Sequence, residues 1–227
     1  MMPIEVDPRV HISLFDDFFS LNTAAGSGLW QSVNDGSTGT LALNSSLVGG
    51  YVNIPSAAAD NDYQVLATQQ KPFKFAAGKP LWAECTLQLT EANTSAANWL
   101  FGLCSVTTGG ILADNGGGVP SSFDGALIYK VDGALSIKGA TSAGSVQTKD
   151  TVLSTFVSGT SYRLGIHFDP ADGVAGNVLY LVNGVVQATH RIALGSLAAM
   201  SLVFGAKAGS ASAETLNVDY VRVVAMR

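Results

Sequence analysis

Asn177-Val178-Leu179-Tyr180-Leu181-Val182-Asn183-Gly184-Val185-Val186-Gln187 is the stretch whose reading decides the fold. Two β-rich runs flank an Asn-Gly pair. Asn-Gly tolerates positive φ at both central positions of a type I′ turn, and that turn has the twist that joins antiparallel strands. The spacing therefore predicts a strand over 177–182, a tight turn at Asn183-Gly184 and a returning strand over 185–190. Just upstream, over 162–169, Tyr162, Leu164, Ile166 and Phe168 alternate with Arg163, Gly165 and His167. A period of two places one set on a core face and the other outward. Downstream, the chain closes with a β-rich run over 216–224 that contains Val218, Tyr220 and Val223.

The same signals extend toward the N-terminus. Leu81, Ala83, Cys85, Leu87 and Leu89 alternate with Trp82, Glu84, Thr86 and Gln88. Asp132-Gly133 lies between apolar runs at 126–131 and 134–138 and reads as a second tight hairpin turn. Further strands are expected near 10–19, 39–43, 51–54, 63–68, 100–106, 145–149 and 200–207. No window shows sustained apolar spacing at three and four with a cap and a stop, so helices are not expected. About a dozen strands at this spacing predict an antiparallel β-sandwich or barrel. The Gly-rich segments 107–122, with Gly109-Gly110 and Gly116-Gly117-Gly118, and 140–144 read as loops. The segment 20–38 reads as irregular apart from Leu29-Trp30. Without a linker or an internal repeat, one domain is expected over 1–227, with a short N-terminal extension at about 1–9.

Composition narrows the function. The 227 residues suffice for a full hydrophobic core. Charged residues make up 13% and hydrophobic ones 47%, against a usual charged share of about 25%, which excludes a disordered chain. A surface so poor in charge is weakly defended against association and hints at a covering partner. The net charge of −5 and twelve scattered basic residues, no two adjacent, argue against nucleic acid and against an anionic membrane surface. The longest apolar run, 197–206, is broken by Ser201 and Gly205 and falls short of the roughly 20 residues of a membrane helix. Met1-Met2-Pro3-Ile4-Glu5-Val6-Asp7 lacks a basic start followed by an apolar core, so no secretory signal is expected. Without export, Cys85 and Cys104 are expected reduced and buried, with a cross-strand disulfide as the alternative. For the same reason the sequons at Asn44 and Asn93 carry little weight.

Three stretches carry a resemblance. Leu14-Phe15-Asp16-Asp17-Phe18-Phe19 is similar to the first strand of the concanavalin A-like, laminin-G-like jelly-roll superfamily. The Leu179-Tyr180-Leu181-Val182-Asn183-Gly184-Val185 hairpin resembles that superfamily's Tyr-x-x-Asn/Asp-Gly hairpin. Val218-Asp219-Tyr220-Val221-Arg222-Val223 looks like its last strand, which the resemblance pairs with the first. The implied fold class is all-β, an antiparallel jelly-roll sandwich. The chain also resembles jelly-roll virion proteins of tailed bacteriophages, capsid decoration and cement proteins among them. That second resemblance rests on overall character: few charges, many small residues, no signal and no recognisable active site. Fold does not by itself imply function.

Few residues in the chain carry a recognisable chemistry. The β-glucan-cleaving enzymes of the superfamily carry two Glu with an Asp between them on one strand, which serves retaining hydrolysis at a carboxyl separation of roughly 5–5.5 Å. Glu84 shares its face with Trp82, Thr86 and Gln88 and has no carboxylate beside it on that strand. Glu5 and Asp7 are spaced suitably, but Pro8 follows. Glu91 stands alone. His11, His167 and His190 form no His-x-His or His-x-x-x-His pair, and each is expected at a surface or interface, with His167 facing away from the core. No Gly-x-Ser-x-Gly elbow is present, and Gly116-Gly117-Gly118-Val119-Pro120 lacks the Lys-Ser/Thr of a phosphate-binding loop. Asp169-Pro170-Ala171-Asp172-Gly173 and Asp60-Asn61-Asp62 offer oxygens, but calcium wants six to eight, and Asx-type turns are the expected reading. Among Trp30, Trp82 and Trp99, Trp82 is expected to point outward beside Glu84, either packed or as a sugar platform.

These readings assign no catalytic, cofactor or metal residue. The expected function is a non-enzymatic virion structural protein that decorates and stabilises a major capsid protein shell as a dimer or trimer. It would be assembled in the host cytoplasm. A lectin-like carbohydrate-binding module of a phage tail or host-attachment device is the alternative, with a glycan as ligand.

Overall fold

The computed structural model describes residues 7–36, 39–93, 95–107, 111–113 and 116–227. Among them every regular element is a strand. In chain order these are β1 (His11–Asp16), β2 (Trp30–Asn34), β3 (Ala42–Leu43), β4 (Val52–Pro55), β5 (Tyr63–Thr68), β6 (Leu81–Thr90), β7 (Ala97–Cys104) and β8 (Gly125–Lys130). There follow β9 (Ser136–Ala143), β10 (Val146–Thr155), β11 (Ser161–Asp169), β12 (Ala175–Val182), β13 (Val185–Ala193), β14 (Ser201–Ala208) and β15 (Thr215–Met226). They form two antiparallel sheets. One runs β13-β12-β11-β6-β15-β4-β3, with β1 added on β15, and the other β10-β9-β8-β7-β14-β5-β2. The first and last strands pair, from His11↔Met226 to Asp16↔Val221, as the resemblance implied.

The period-two readings hold. Leu81, Ala83, Cys85, Leu87 and Leu89 point inward, as do Tyr162, Leu164, Ile166 and Phe168, and they meet Trp99, Phe101 and Phe204 of the facing sheet. The opening motif has a definite task. Asp16 Oδ2 accepts a hydrogen bond from Trp30 Nε1 at 2.6 Å, and Asp16 Oδ1 accepts one from the Phe18 backbone N–H at 2.8 Å. Phe18 adopts φ 48° and turns into the core against Trp30 and Phe204. This ends β1 at Asp16, three residues short of the expected boundary, and leaves Phe19 outside.

Other departures have physical causes. The region expected to be irregular contains β2, which pairs with β5 and buries Trp30. Residues 140–143, expected as a loop, belong to β9, because the small side chains Ala140, Thr141 and Ser142 fit a fully buried stretch. Asn183-Gly184 forms the expected tight turn, with φ of 53° and 81°. Asp132-Gly133 does not. The last β8–β9 pair is Tyr129↔Lys138, and the wide loop is clasped elsewhere: Asp132 N donates to Asn98 Oδ1 (2.9 Å) and Gly133 N to Ser95 O (2.8 Å).

The seven-stranded sheet is covered on its outer face as well. Ile111, Leu112, Val119 and Phe123, from the β7–β8 connection, pack over Leu100, Leu127, Tyr129 and Val203. This second apolar layer explains why β7 and β8 are buried at every position rather than alternating. Gly109-Gly110 and most of the expected N-terminal extension, about 1–9, lie outside the described residues.

Candidate functional site

With the central strands of one sheet roofed by its own loop, the outer face of the eight-stranded sheet is a broad open face among the described residues. Its centre is β6, flanked by β11 and β15. Cross-strand pairing sets the side chains in rows. Gly165, Glu84, Arg222 and Phe15 form one row; His167, Trp82, Val224 and Ser13 form the next; Arg163, Thr86 and Tyr220 lie on the other side. Trp82 thus points outward, as its register predicts, and its ring lies against His167 with centroids 5.5 Å apart. A Cβ on Gly165 would stand 3.6 Å from Trp82 Cζ2, so the indole leans over a position without a side chain. Phe15 is 64% exposed and rests beside Tyr220, with ring centroids 6.1 Å apart.

The polar groups are held. The Tyr220 hydroxyl donates to Glu84 Oε1 at 2.7 Å. Burial and the neighbouring carboxylate push the Tyr220 phenol up to about 12, so it stays a donor at neutral pH. The Asn183-Gly184 turn seats Arg163: Arg163 N donates to Asn183 Oδ1 (3.0 Å) and Asn183 N to Arg163 O (2.7 Å). The Arg163 guanidinium lies directly over Gly184, where any Cβ would collide with it. Neither Arg163 nor Arg222 joins any of the four ion pairs among the described residues. A hollow of about 340 Å³ opens at one end of the patch, lined by His11, Pro80, Trp82, His167, Val224 and Met226. A smaller one, about 60 Å³, lies between Trp82, Glu84, Arg163, Gly165, Leu181 and Gly184. Partial burial holds His167 below the ordinary histidine range, which favours the neutral ring.

The remaining sequence candidates serve structure. Trp30 and Trp99 are core residues, 1% and 0% exposed. His190 is not at a surface: its ring nitrogens meet Thr141 Oγ1 (3.1 Å) and Thr151 Oγ1 (2.9 Å) between the sheets. Its side chain points inward by register, because His190 pairs with Val178, a core position of β12. Glu91 does not stand alone, since Lys130 neutralises it in the interior. Asp172 Oδ1 caps the N–H groups of Val174 and Ala175, its other oxygen pairs with Arg191, and Asp62 is buried and accepts from Ala57 N. Among the described residues no three His, Cys, Asp or Glu side chains gather as a metal site. Cys85 and Cys104 are free and buried, and burial pushes the Cys104 thiol up to about 12. Asp7 is engaged by Arg9, and Glu5 lies outside the described residues.

Sequence reasoning reached Trp82, Glu84 and His167 but missed Arg163, Tyr220, Arg222 and Phe15 as their neighbours. The available signal was register, because all four point outward from strands that the sequence does predict. Pairing β1 and β15 onto β6 brings them together.

The free edges on the side away from this patch are blunted. β13 carries an irregularity opposite Tyr180/Leu181, and β10 carries two, between Thr148/Thr151 and Val152/Ser154. Bulges of this kind disfavour edge-to-edge pairing.

No family model and no curated protein matches the chain. Among solved structures it is similar to an endo-1,3-beta-glucanase from Streptomyces sioyaensis, at 14% identity and TM-score 0.64, over 97% of this chain and 98% of that one. It is similar to a protein of unknown function from Shewanella oneidensis MR-1, at 15% identity and TM-score 0.61, over 100% and 97%. Peanut lectin with a nine-residue peptide matches at 14% identity and TM-score 0.61, over 95% and 97%. At such identities the likeness is one of fold. The fold is the lectin-like, concanavalin A-like jelly-roll sandwich.

Proposed function

We propose that this chain is a non-enzymatic structural protein of a bacteriophage virion, a capsid decoration or cement protein that binds the major capsid protein. It acts as a single rigid sandwich, as a dimer or trimer at shell symmetry positions. One observation carries the reading. The outer face of the eight-stranded sheet presents an open patch of Phe15, Trp82, Arg163, Tyr220 and Arg222, while the central strands of the opposite sheet are roofed. Aromatic residues and arginine are what protein–protein interfaces enrich, and a weakly charged surface is easily desolvated. Glu84, held by a phenol and without a second carboxylate on its strand, is suited to hydrogen bonding rather than to glycoside hydrolysis. Such a protein would be assembled in the host cytoplasm and carried on the particle. The test mixes purified protein with undecorated capsids and follows binding and resistance to heat. Saturable binding with a raised rupture temperature is the expected result, and absence of both would sink the reading.

A second reading has its own support. Trp82 beside Glu84 and Arg163 offers a ring and hydrogen-bonding groups together, and the fold is that of lectins. In this reading the chain is a glycan-binding module of a phage tail or host-attachment device. Binding on a glycan array, with or without calcium, would favour it over capsid decoration.

A further inference from the structure

Arg163 and Arg222 flank Glu84 and Tyr220 on the outer sheet face, one on β11 and one on β15, with β6 between them. Neither has a carboxylate within ion-pair distance among the described residues. This is unusual in a chain where acids outnumber bases 17 to 12, because a carboxylate would be the easier neighbour to supply. Glu84, the nearest acid in the rows, already accepts a hydrogen bond from the Tyr220 hydroxyl. Arginine is the side chain whose planar fork matches a carboxylate in bidentate fashion. The patch therefore has two vacant carboxylate receptors on an otherwise acidic protein.

Their spacing sets the ligand's dimensions. Their backbone positions are two strands apart and offset by two residues, roughly 12 Å at ordinary sheet spacings, and the Arg163 guanidinium leans further away, over Gly184, so the two charged groups stand at least that far apart. An extended chain covers that distance in about three to four residues. The hollow of about 340 Å³ beside Trp82 adjoins this axis and is lined largely by apolar atoms of Pro80, Trp82, Val224 and Met226. It has room for one large apolar side chain. The small hollow at Gly165, about 60 Å³, falls well below the roughly 300–1,000 Å³ of enclosed small-molecule sites, so a sugar there would have to lie on the surface. Asp219 lies where β15 bulges, and its carboxyl is raised chiefly by burial and further by the nearby Asp17. Their like charge would repel an acidic ligand from that margin and so orient it.

We propose that Arg163, Arg222, Trp82 and Phe15 form a receptor for an extended acidic peptide segment of a partner protein, with two carboxylates at least three or four residues apart and one large apolar anchor. The inference rests on the docking reading above and specifies the chemistry of what docks. Carboxylates seat on the two guanidiniums, the anchor enters the hollow beside Trp82, and Phe15 closes over the segment.

The test uses the full chain and a random copolymer of glutamate and tyrosine as probe. Trp30 and Trp99 are core residues, so a binding-induced change in tryptophan emission reports on Trp82. Saturable binding is expected, stronger at low than at physiological salt. Arg163→Gln and Arg222→Gln should each weaken it about tenfold, as loss of a charge-assisted hydrogen bond does, with the melting temperature unchanged. Lack of saturable binding overturns the inference, and so does binding that survives in the double variant. Polygalacturonate bound as tightly as the copolymer would move the carboxylates onto a sugar. Neutral laminarin oligosaccharides that shift the emission would replace the peptide by a glycan. Capsid binding that persists while the copolymer fails leaves docking intact and removes only this inference. Copolymer binding without capsid binding does the reverse.

Discussion

The Lys130 ammonium lies 2.6 Å from a Glu91 carboxylate oxygen, with the two side chains 0% and 3% exposed. Lys130 also donates to the carbonyls of Ala97 (2.8 Å) and Val131 (3.3 Å) and stands 5.3 Å from the Phe156 ring centroid. Glu91 accepts from the N–H groups of Ser95 (3.1 Å) and Ala97 (3.2 Å). The pair ties the β6–β7 connection to the end of β8. Removing one charge leaves the other buried and unpaired, which costs about 3–5 kcal/mol, whereas removing both is far milder. Lys130→Met should therefore lower stability by about that amount in urea unfolding, and Glu91→Gln/Lys130→Met should recover much of it. A single change costing under about 1 kcal/mol would show that the ions are solvated.

Glu214 lies beside this pair, fully buried, with Oε2 accepting from Ala92 N at 3.0 Å and Oε1 without a partner. Burial, aided by the Glu91 charge, raises its carboxyl above the usual glutamate range. A raised folded-state value means that the folded chain holds its proton where the unfolded chain has released it. Its contribution to stability is full below the unfolded value near 4.5 and is lost as pH rises through the raised folded value. Glu214→Gln should flatten this decline. Unfolding free energies measured from pH 4 to 8 would show it as a gap that widens with pH, and parallel curves would contradict it.

His190 behaves oppositely. Burial lowers its folded-state value, and Thr141, Thr151 and Tyr180 enclose the ring. The unfolded chain takes up the proton first, near 6.5. Stability is thus full above that value and is lost as pH falls from it through the lowered folded value. His190→Gln should remove the acid limb at a neutral-pH cost of about 1–2 kcal/mol for lost packing and hydrogen bonds. Local loosening of β10 and β13 in acid, read by hydrogen exchange, is the accompanying sign.

Gly165 is where Trp82 depends on a missing side chain. A Cβ there would stand 3.3 Å from Leu181 Cβ and 3.6 Å from Trp82 Cζ2. Gly165→Val needs more room than either neighbour leaves, and overpacking of this kind costs about 1–3 kcal/mol. The indole should be driven off the sheet, with red-shifted emission and stronger acrylamide quenching. An unchanged spectrum would mean that Trp82 does not rest on Gly165.

The legible and illegible parts of this molecule divide along one line. Whatever depended on local periodicity was readable: the inward set of β6, the outward Trp82, and the Asn183-Gly184 turn with positive φ at both residues. Asp132-Gly133 carries the same dipeptide logic and yet opens into a wide loop, because Asn98 and Ser95, more than thirty residues away, claim its N–H groups. The strand β7 hid its register because the roof from its own following loop buries both faces. Likewise Glu91 looked solitary until Lys130 arrived from another strand, and Tyr220 and Arg222 joined Glu84 only through β15 pairing. Non-local pairing carries this information, and no window of sequence contains it.

The turn that fixed the architecture also reaches the candidate site. Gly184 adopts φ +81°, and a Cβ there would run into the Arg163 guanidinium. Gly184→Ala should lose about 1–2 kcal/mol from left-handed strain alone. It should also displace Arg163 from the patch while leaving the arginine in the chain. Affinity for the acidic copolymer should then fall about as far as in Arg163→Gln, roughly tenfold. The double change Gly184→Ala/Arg163→Gln should bind no more weakly than either alone, since both act through one guanidinium, and such non-additivity is what a double-mutant cycle detects. Additive losses would mean that the turn and Arg163 contribute separately, and that Gly184 does not hold the arginine in place.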